Sequence, residues 1–276
     1  MKLSLWRASL APWAFAVGGL VLTFYPSLGS GFRLTEHDAI DSRMNNYVLE
    51  HGWRWLTNDS AHASYWDPPI FHPVTNVGAY TDVLLGTGPV YWAWRALRLA
   101  PDLAFQAWPM TLPMLNFVAA YLMLRTAFGA PKLAASSGGF LFAFSSARTA
   151  RLGHVQLYQH FFAALAVLAV ARLFRGTEGA PRERAWIALL FACVAAQLYA
   201  SYYLGWFLGL ALALAMVWGF AFGDTRAQLL DLLRRRWAAL VIAVGFTGIA
   251  LWPLASHSLA AARTVGLRPY ESVDLP

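Results

Sequence analysis

Three short stretches of this sequence gather side chains able to move protons or grip anions. In "DSRMNNYVLEHGWRWL", residues 41–56, a helix would set Asp41 and Asn45 one turn apart, with His51 further along. A carboxylate so placed can take a proton from a hydroxyl or hold a divalent cation. The plainer alternative is an amphipathic surface helix whose acid favours its N-terminus and whose tryptophans rest at a membrane interface. In "FLFAFSSARTARLGHVQLYQH", residues 140–160, Arg148, Arg151 and His154 fall close together. Guanidinium forks suit a phosphate or pyrophosphate, but arginines at a helix end also serve as headgroup anchors. His154 is a candidate metal ligand. In "AYTDVLLG", Asp82 sits among apolar residues, where an acid must be paired or face water. Two weaker signals flank these stretches. Thr35 to Asp38 has capping-box spacing, and the proline-rich "YWDPPIFHPVTN" is a rigid connector that displays Asp67 and His72.

The elements that must position these groups are apolar. Of 276 residues, 58% are hydrophobic and 13% are charged, with a mean hydropathy of +0.47. Soluble domains carry about 25% charged residues, so the composition describes an all-α membrane protein. Seven spans are expected, near 11–28, 103–124, 133–147, 157–173, 185–201, 204–222 and 237–255. The run 77–97 contains Asp82, Arg95 and Pro89 and is expected to be interfacial or re-entrant. With that arrangement, 12 of the 21 Lys and Arg share the predicted cytoplasmic side with the N-terminus: Lys2, Arg7, Arg125, Lys132, Arg172, Arg175, Arg182, Arg184, Arg226 and Arg234 to Arg236. The net charge of +7 is therefore a topology signal, and no nucleic-acid partner is expected. One cysteine, Cys193, excludes an intrachain disulfide framework and a cysteine-cluster zinc site.

The same topology puts ten of the 14 acids on the outer side, and all seven histidines on or close to it. Residues 29–102 form a long first outer loop carrying interfacial helices. The short span 133–147 opens with "LAASSGGF", small residues that favour a place inside the bundle. Chemistry, if the chain performs any, belongs to the extracytoplasmic face.

An acid soon after the first span, then "FHP…NVGAYTDVLLG", then "FLFAFSSARTARLGHVQL" resembles the GT-C superfamily of polytopic glycosyltransferases, and more closely a bacterial multi-pass branch of that type. The likeness is a pattern of spaced residues over about 30–222. It implies a single GT-C-like module over 1–276 in a bacterial inner membrane. It further implies transfer of a sugar from a polyprenyl-phosphate carrier to a glycan, lipid or protein acceptor at the outer face. The family's first-loop acid corresponds to Asp41, with Asp38 as the alternative register. Arg148 and Arg151 are the candidates for the carrier phosphate by position and chemistry. Asn45, His51, Asp82 and His154 are further cavity candidates. Where the family carries a second, metal-binding acid, this chain has His154, so a divalent cation is not a settled expectation. Family members are typically longer, and "ARTVGLRPYESVDLP" reads as the start of another outer loop. The competing expectation is a non-enzymatic membrane protein, either a silent lipid- or glycan-binding relative or a transporter-like carrier.

Overall fold

The computed structural model describes residues 2–35, 41–71, 73–150, 152–175 and 179–265, and among them every regular element is helical. The chain runs α1 (Lys2–Gly29), α2 (Asp41–Leu56), α3 (Gly88–Ala96), α4 (Pro101–Leu122), α5 (Lys132–Phe144), α6 (Ser146–Thr149), α7 (Phe161–Arg175), α8 (Ala180–Ala200), α9 (Tyr202–Ala221) and α10 (Gly223–Val265). Six segments among the described residues are long and apolar enough to cross a membrane: 10–29, 101–126, 152–175, 180–200, 202–221 and 223–264. The protein is thus a helical, multi-pass membrane type of chain.

The expected seventh span, 133–147, is not among these six, although α5 carries the chain from the end where Thr126 meets Arg172 to the end where the turn 152–157 meets α2. Helix α5 has 13 residues, about 20 Å at 1.5 Å per residue, against a hydrocarbon core of about 30 Å. Its small-residue face (Ala135, Ser136, Gly139, Ala143) is buried, with Gly139 close against Phe117 of α4, while Leu133 and Leu141 are exposed. It therefore lies at the edge of the bundle, not enclosed within it.

The stretch 77–97 is not one helix. A single 3-10 turn at Val77–Ala79 leads into irregular chain, and α3 is only nine residues long, too short to cross. Asp82 consequently sits in irregular chain and not within a helix. Leu84 takes a left-handed conformation (φ 55°), and its carbonyl accepts hydrogen bonds from the Thr87 and Gly88 amides at 3.1 and 2.6 Å. That conformation costs a branched residue about 1–2 kcal/mol, which burial of the leucine offsets. Gly86 then lies so near α8 that a Cβ would stand 2.2 Å from the Ala196 carbonyl oxygen, an approach only glycine permits.

Helix ends sort by charge. At one end Arg172 and Arg175 donate to the Thr126 carbonyl, and Arg235 and Arg236 hold Glu183. At the other end lie α2, α3, the turn 152–157 and the α8–α9 corner. The largest core cluster is at this second end: Leu49 of α2, Leu84, Tyr91 of α3, Trp108 and Leu112 of α4, and Val155 and Tyr158 ahead of α7. Trp108 donates its indole N–H to the Thr87 carbonyl at 3.2 Å. Asn116, fully buried in α4, donates to the Tyr158 carbonyl and accepts from the His160 amide, both at 2.8 Å. The core thereby fixes the turn 152–157 against α2.

Candidate functional site

The site begins where α2 begins. Asp41 is its first residue, suited to a helix N-terminus, where a carboxylate complements the exposed amides. Across from it, the turn Leu152–Leu157 is interrupted at His154 (φ −118°, ψ 65°). His154 and Gln156 both reach α2: His154 Nδ1 lies 2.5 Å from Asp41 Oδ2, and Gln156 Nε2 donates to the same oxygen at 3.1 Å. Asn45, one turn along, donates its amide to Gln156 Oε1 at 2.8 Å. The hydrogen bonds from His154 and then Gln156 hold the Asp41 carboxyl below its usual pKa. An ionised Asp41 requires His154 to donate from Nδ1, which leaves Nε2 as the basic nitrogen of a ring that is 51% exposed.

Arg148 occupies the neighbouring wall. Its guanidinium stands 5.0 Å over the Phe142 ring, and burial pushes its pKa down. Among the described residues no carboxylate lies within ion-pair distance of it. It lines a groove of about 530 Å³ with Leu157, Tyr158, His160, Tyr203 and Phe207. Tyr203 and Phe207 of α9 are 67% and 65% exposed, so the groove opens sideways toward lipid. The turn 152–157 therefore presents His154 and Gln156 to the acid and Leu157 to the groove.

Other residues singled out from sequence lie elsewhere. His51 faces away from Asp41: its Nδ1 is 2.7 Å from Nδ1 of His62 and its Nε2 is 3.0 Å from the Tyr65 carbonyl. Burial lowers its pKa, so it is a neutral, internally bonded histidine. Asp82 accepts from the Tyr202 amide at 2.7 Å and from Ser201 Oγ at 3.4 Å, clasping the start of α9. Burial raises its pKa. Asp67 accepts from the Asn76 amide at 2.8 Å and from Ser64 Oγ at 2.8 Å, a loop brace. Asp38, Arg151 and His72 lie outside the described residues.

Sequence reasoning missed two features. Gln156, the link between Asp41 and Asn45, gives no signal by type, because its partners are over 100 residues away. Glu50 is clamped by Arg95 (2.9 and 3.2 Å) and Tyr91 (2.8 Å) of α3. Among the described residues no three His, Cys, Asp or Glu side chains gather as metal ligands. Asp41 and His154 supply two donors, and these are bonded to each other. No family model matches the chain, and neither a curated protein nor a solved structure matches it.

Proposed function

We propose that the chain is a membrane glycosyltransferase of the GT-C kind, moving a sugar from a polyprenyl-phosphate carrier to an acceptor at the extracytoplasmic face of a bacterial inner membrane. One observation carries the reading: an Asp–His pair braced by Gln156 adjoins a lipid-facing groove whose cation has no described carboxylate partner. A polyprenyl chain is apolar and its phosphate anionic, and the groove offers aromatic walls beside Arg148.

In the proposed reaction the bond between the sugar's anomeric carbon and the phosphate oxygen breaks, and its electron pair leaves on the phosphate. The acceptor's hydroxyl oxygen bonds to that carbon and gives up its proton to His154 Nε2, from which it passes to water. Asp41 fixes the tautomer and orientation of His154 and offsets the imidazolium charge as it forms. Arg148 steadies the departing phosphate, and holding both reactants at one place supplies further rate. The transporter alternative is less supported. Of the polar residues deep in the spans, Asn116 and Gln197 both donate their side-chain amides to backbone carbonyls, at 2.8 and 3.3 Å.

The test follows label from monosaccharide-labelled lipid-phosphate into acceptors in membranes expressing the full chain. Expression should raise transfer. Asp41→Asn and His154→Gln should each remove at least about 100-fold of it, and the double variant should be no worse than either alone, since the two act as a unit. Full activity in Asp41→Asn would sink the assignment. Orientation is checked by Arg98→Cys and Arg182→Cys in a Cys193→Ser background. Position 98 should label from outside and 182 from inside; cytoplasmic labelling at 98 would invert the scheme.

A further inference from the structure

A second cavity lies away from α2, between α8 and the middle of α10. It measures about 780 Å³. The two helices are tied at both ends of it. Toward the basic end, Glu183 of α8 is held by Arg235 (3.0 Å) and Arg236 (2.5 Å) of α10. Toward the other end, Tyr199 donates its hydroxyl to the Ala250 carbonyl at 2.6 Å, and Leu198 and Tyr199 pack with Leu251 and Leu254. Between these ties the facing side chains are mostly alanines, including Ala188 and Ala192 on α8 and Ala239 and Ala243 on α10. They are too short to close the gap. Ile242 and Phe246 on its rim are 58% and 70% exposed, so the space opens sideways.

We propose that this window holds one acyl chain of an anionic phospholipid from the leaflet at the basic end, with the lipid phosphate on Arg184. Length supports that occupant. From Arg184 to Ala195 on α8, and from Ala238 to Ala250 on α10, the lining runs about 16–18 Å at 1.5 Å per residue. One leaflet's share of the hydrocarbon core is about 15 Å. A helix seated there would have to cross the whole bilayer, and the Tyr199–Ala250 tie closes the window halfway. Charge supports it as well. Arg184 is the single charged residue lining the cavity, and it forms no ion pair among the described residues, whereas Arg235 and Arg236 beside it are committed to Glu183. A guanidinium at a membrane interface, at the head of an apolar slot, is the recognition chemistry of an anionic headgroup with its tail. This site is separate from the proposed transfer site, and nothing in it depends on sugar chemistry.

Native mass spectrometry of the full chain released from detergent tests it, using phosphatidylglycerol and phosphatidylcholine with matched acyl chains. The parent should retain phosphatidylglycerol about fivefold more readily, the advantage one basic side chain confers at a membrane surface. Arg184→Gln, a surface change harmless to folding, should bring the two lipids level. Arg226→Gln, the same charge loss outside the window, should preserve the preference. Ala243→Phe, which fills the slot, should lower retention of both lipids. Equal retention of the two lipids by the parent, or a preference that survives Arg184→Gln, overturns the proposal even if Ala243→Phe fails to fold. So does a lipid-free dimer that Ala243→Phe dissolves, since a second copy would then own the window.

Discussion

Helix α2 holds two carboxylates in opposite ways. Glu50 receives two bonds from Arg95, one from the Tyr91 hydroxyl and one from Arg54, and its side chain is 14% exposed. Asp41, two and a half turns earlier, is held through Oδ2 by an imidazole and an amide, and its side chain is 36% exposed. A carboxylate saturated by guanidinium is a fastener: its charge is spent, and removing it leaves a buried cation. One held by a histidine keeps a titratable neighbour at a solvent-facing edge, the arrangement that proton transfer needs. Glu183, 1% exposed between Arg235 and Arg236, belongs with Glu50. Residue type alone does not separate these acids, but their partners do.

The contrast can be broken by substitution. The largest effect should be on transfer, where Asp41→Asn loses at least about 100-fold yet melts with the parent in detergent. Glu50→Ala should do the reverse, costing about 2–3 kcal/mol by stranding Arg95 and Tyr91, read as a lower melting temperature, with transfer per folded molecule retained. If Glu50→Ala spared stability, the fastener description would fail. Smaller again, Asp82→Ala removes a cap-like acceptor from the Tyr202 amide and should cost about 1 kcal/mol, visible as faster hydrogen exchange at the start of α9.

The smallest effect concerns pH. Asp41 has a depressed pKa in the fold, so its contact with His154 and Gln156 contributes in full above the unfolded value of 3.8 and is lost as pH falls through the lower folded value. Because the group is over one-third exposed, that contribution stays below about 1 kcal/mol. Exchange at residues 41–45 should therefore be flat from neutral pH down to about 4, after correction for intrinsic rates, and rise only below that. Opening near pH 6 would contradict a contact governed by the carboxylate.

Much of the scaffold was legible. The α2 helix follows from the polar and aromatic periodicity of residues 41–56, and six spans follow from runs of apolar residues. What sequence could not convey was tertiary. Residues 77–97 carry enough apolar side chains for a helix, but Asp82 is drawn to the Tyr202 amide, and Leu84 and Gly86 turn the chain against α8. His51 has the type and exposure pattern of a cavity residue until His62, 11 positions later, captures it. Asp41 and Asn45 were legible as neighbours on one helix. Gln156, which unites them, was not, because the core around Trp108 and Tyr158 decides what the turn 152–157 touches.

The Glu183 clasp also imposes an order in time. Arg235 follows it by 52 residues, which a ribosome adds in roughly 3–10 s. For that interval α8 has emerged with an acid at its foot and neither guanidinium yet made. The carboxylate keeps its hydration until α10 arrives carrying both cations, so α10 cannot dock without completing the pair. A nascent chain arrested ahead of Arg235 should leave the foot of α8 open to a water-soluble probe at an Ile187→Cys position, and one extended beyond α10 should protect it. The clasp works as a latch that stays open until α10 is made.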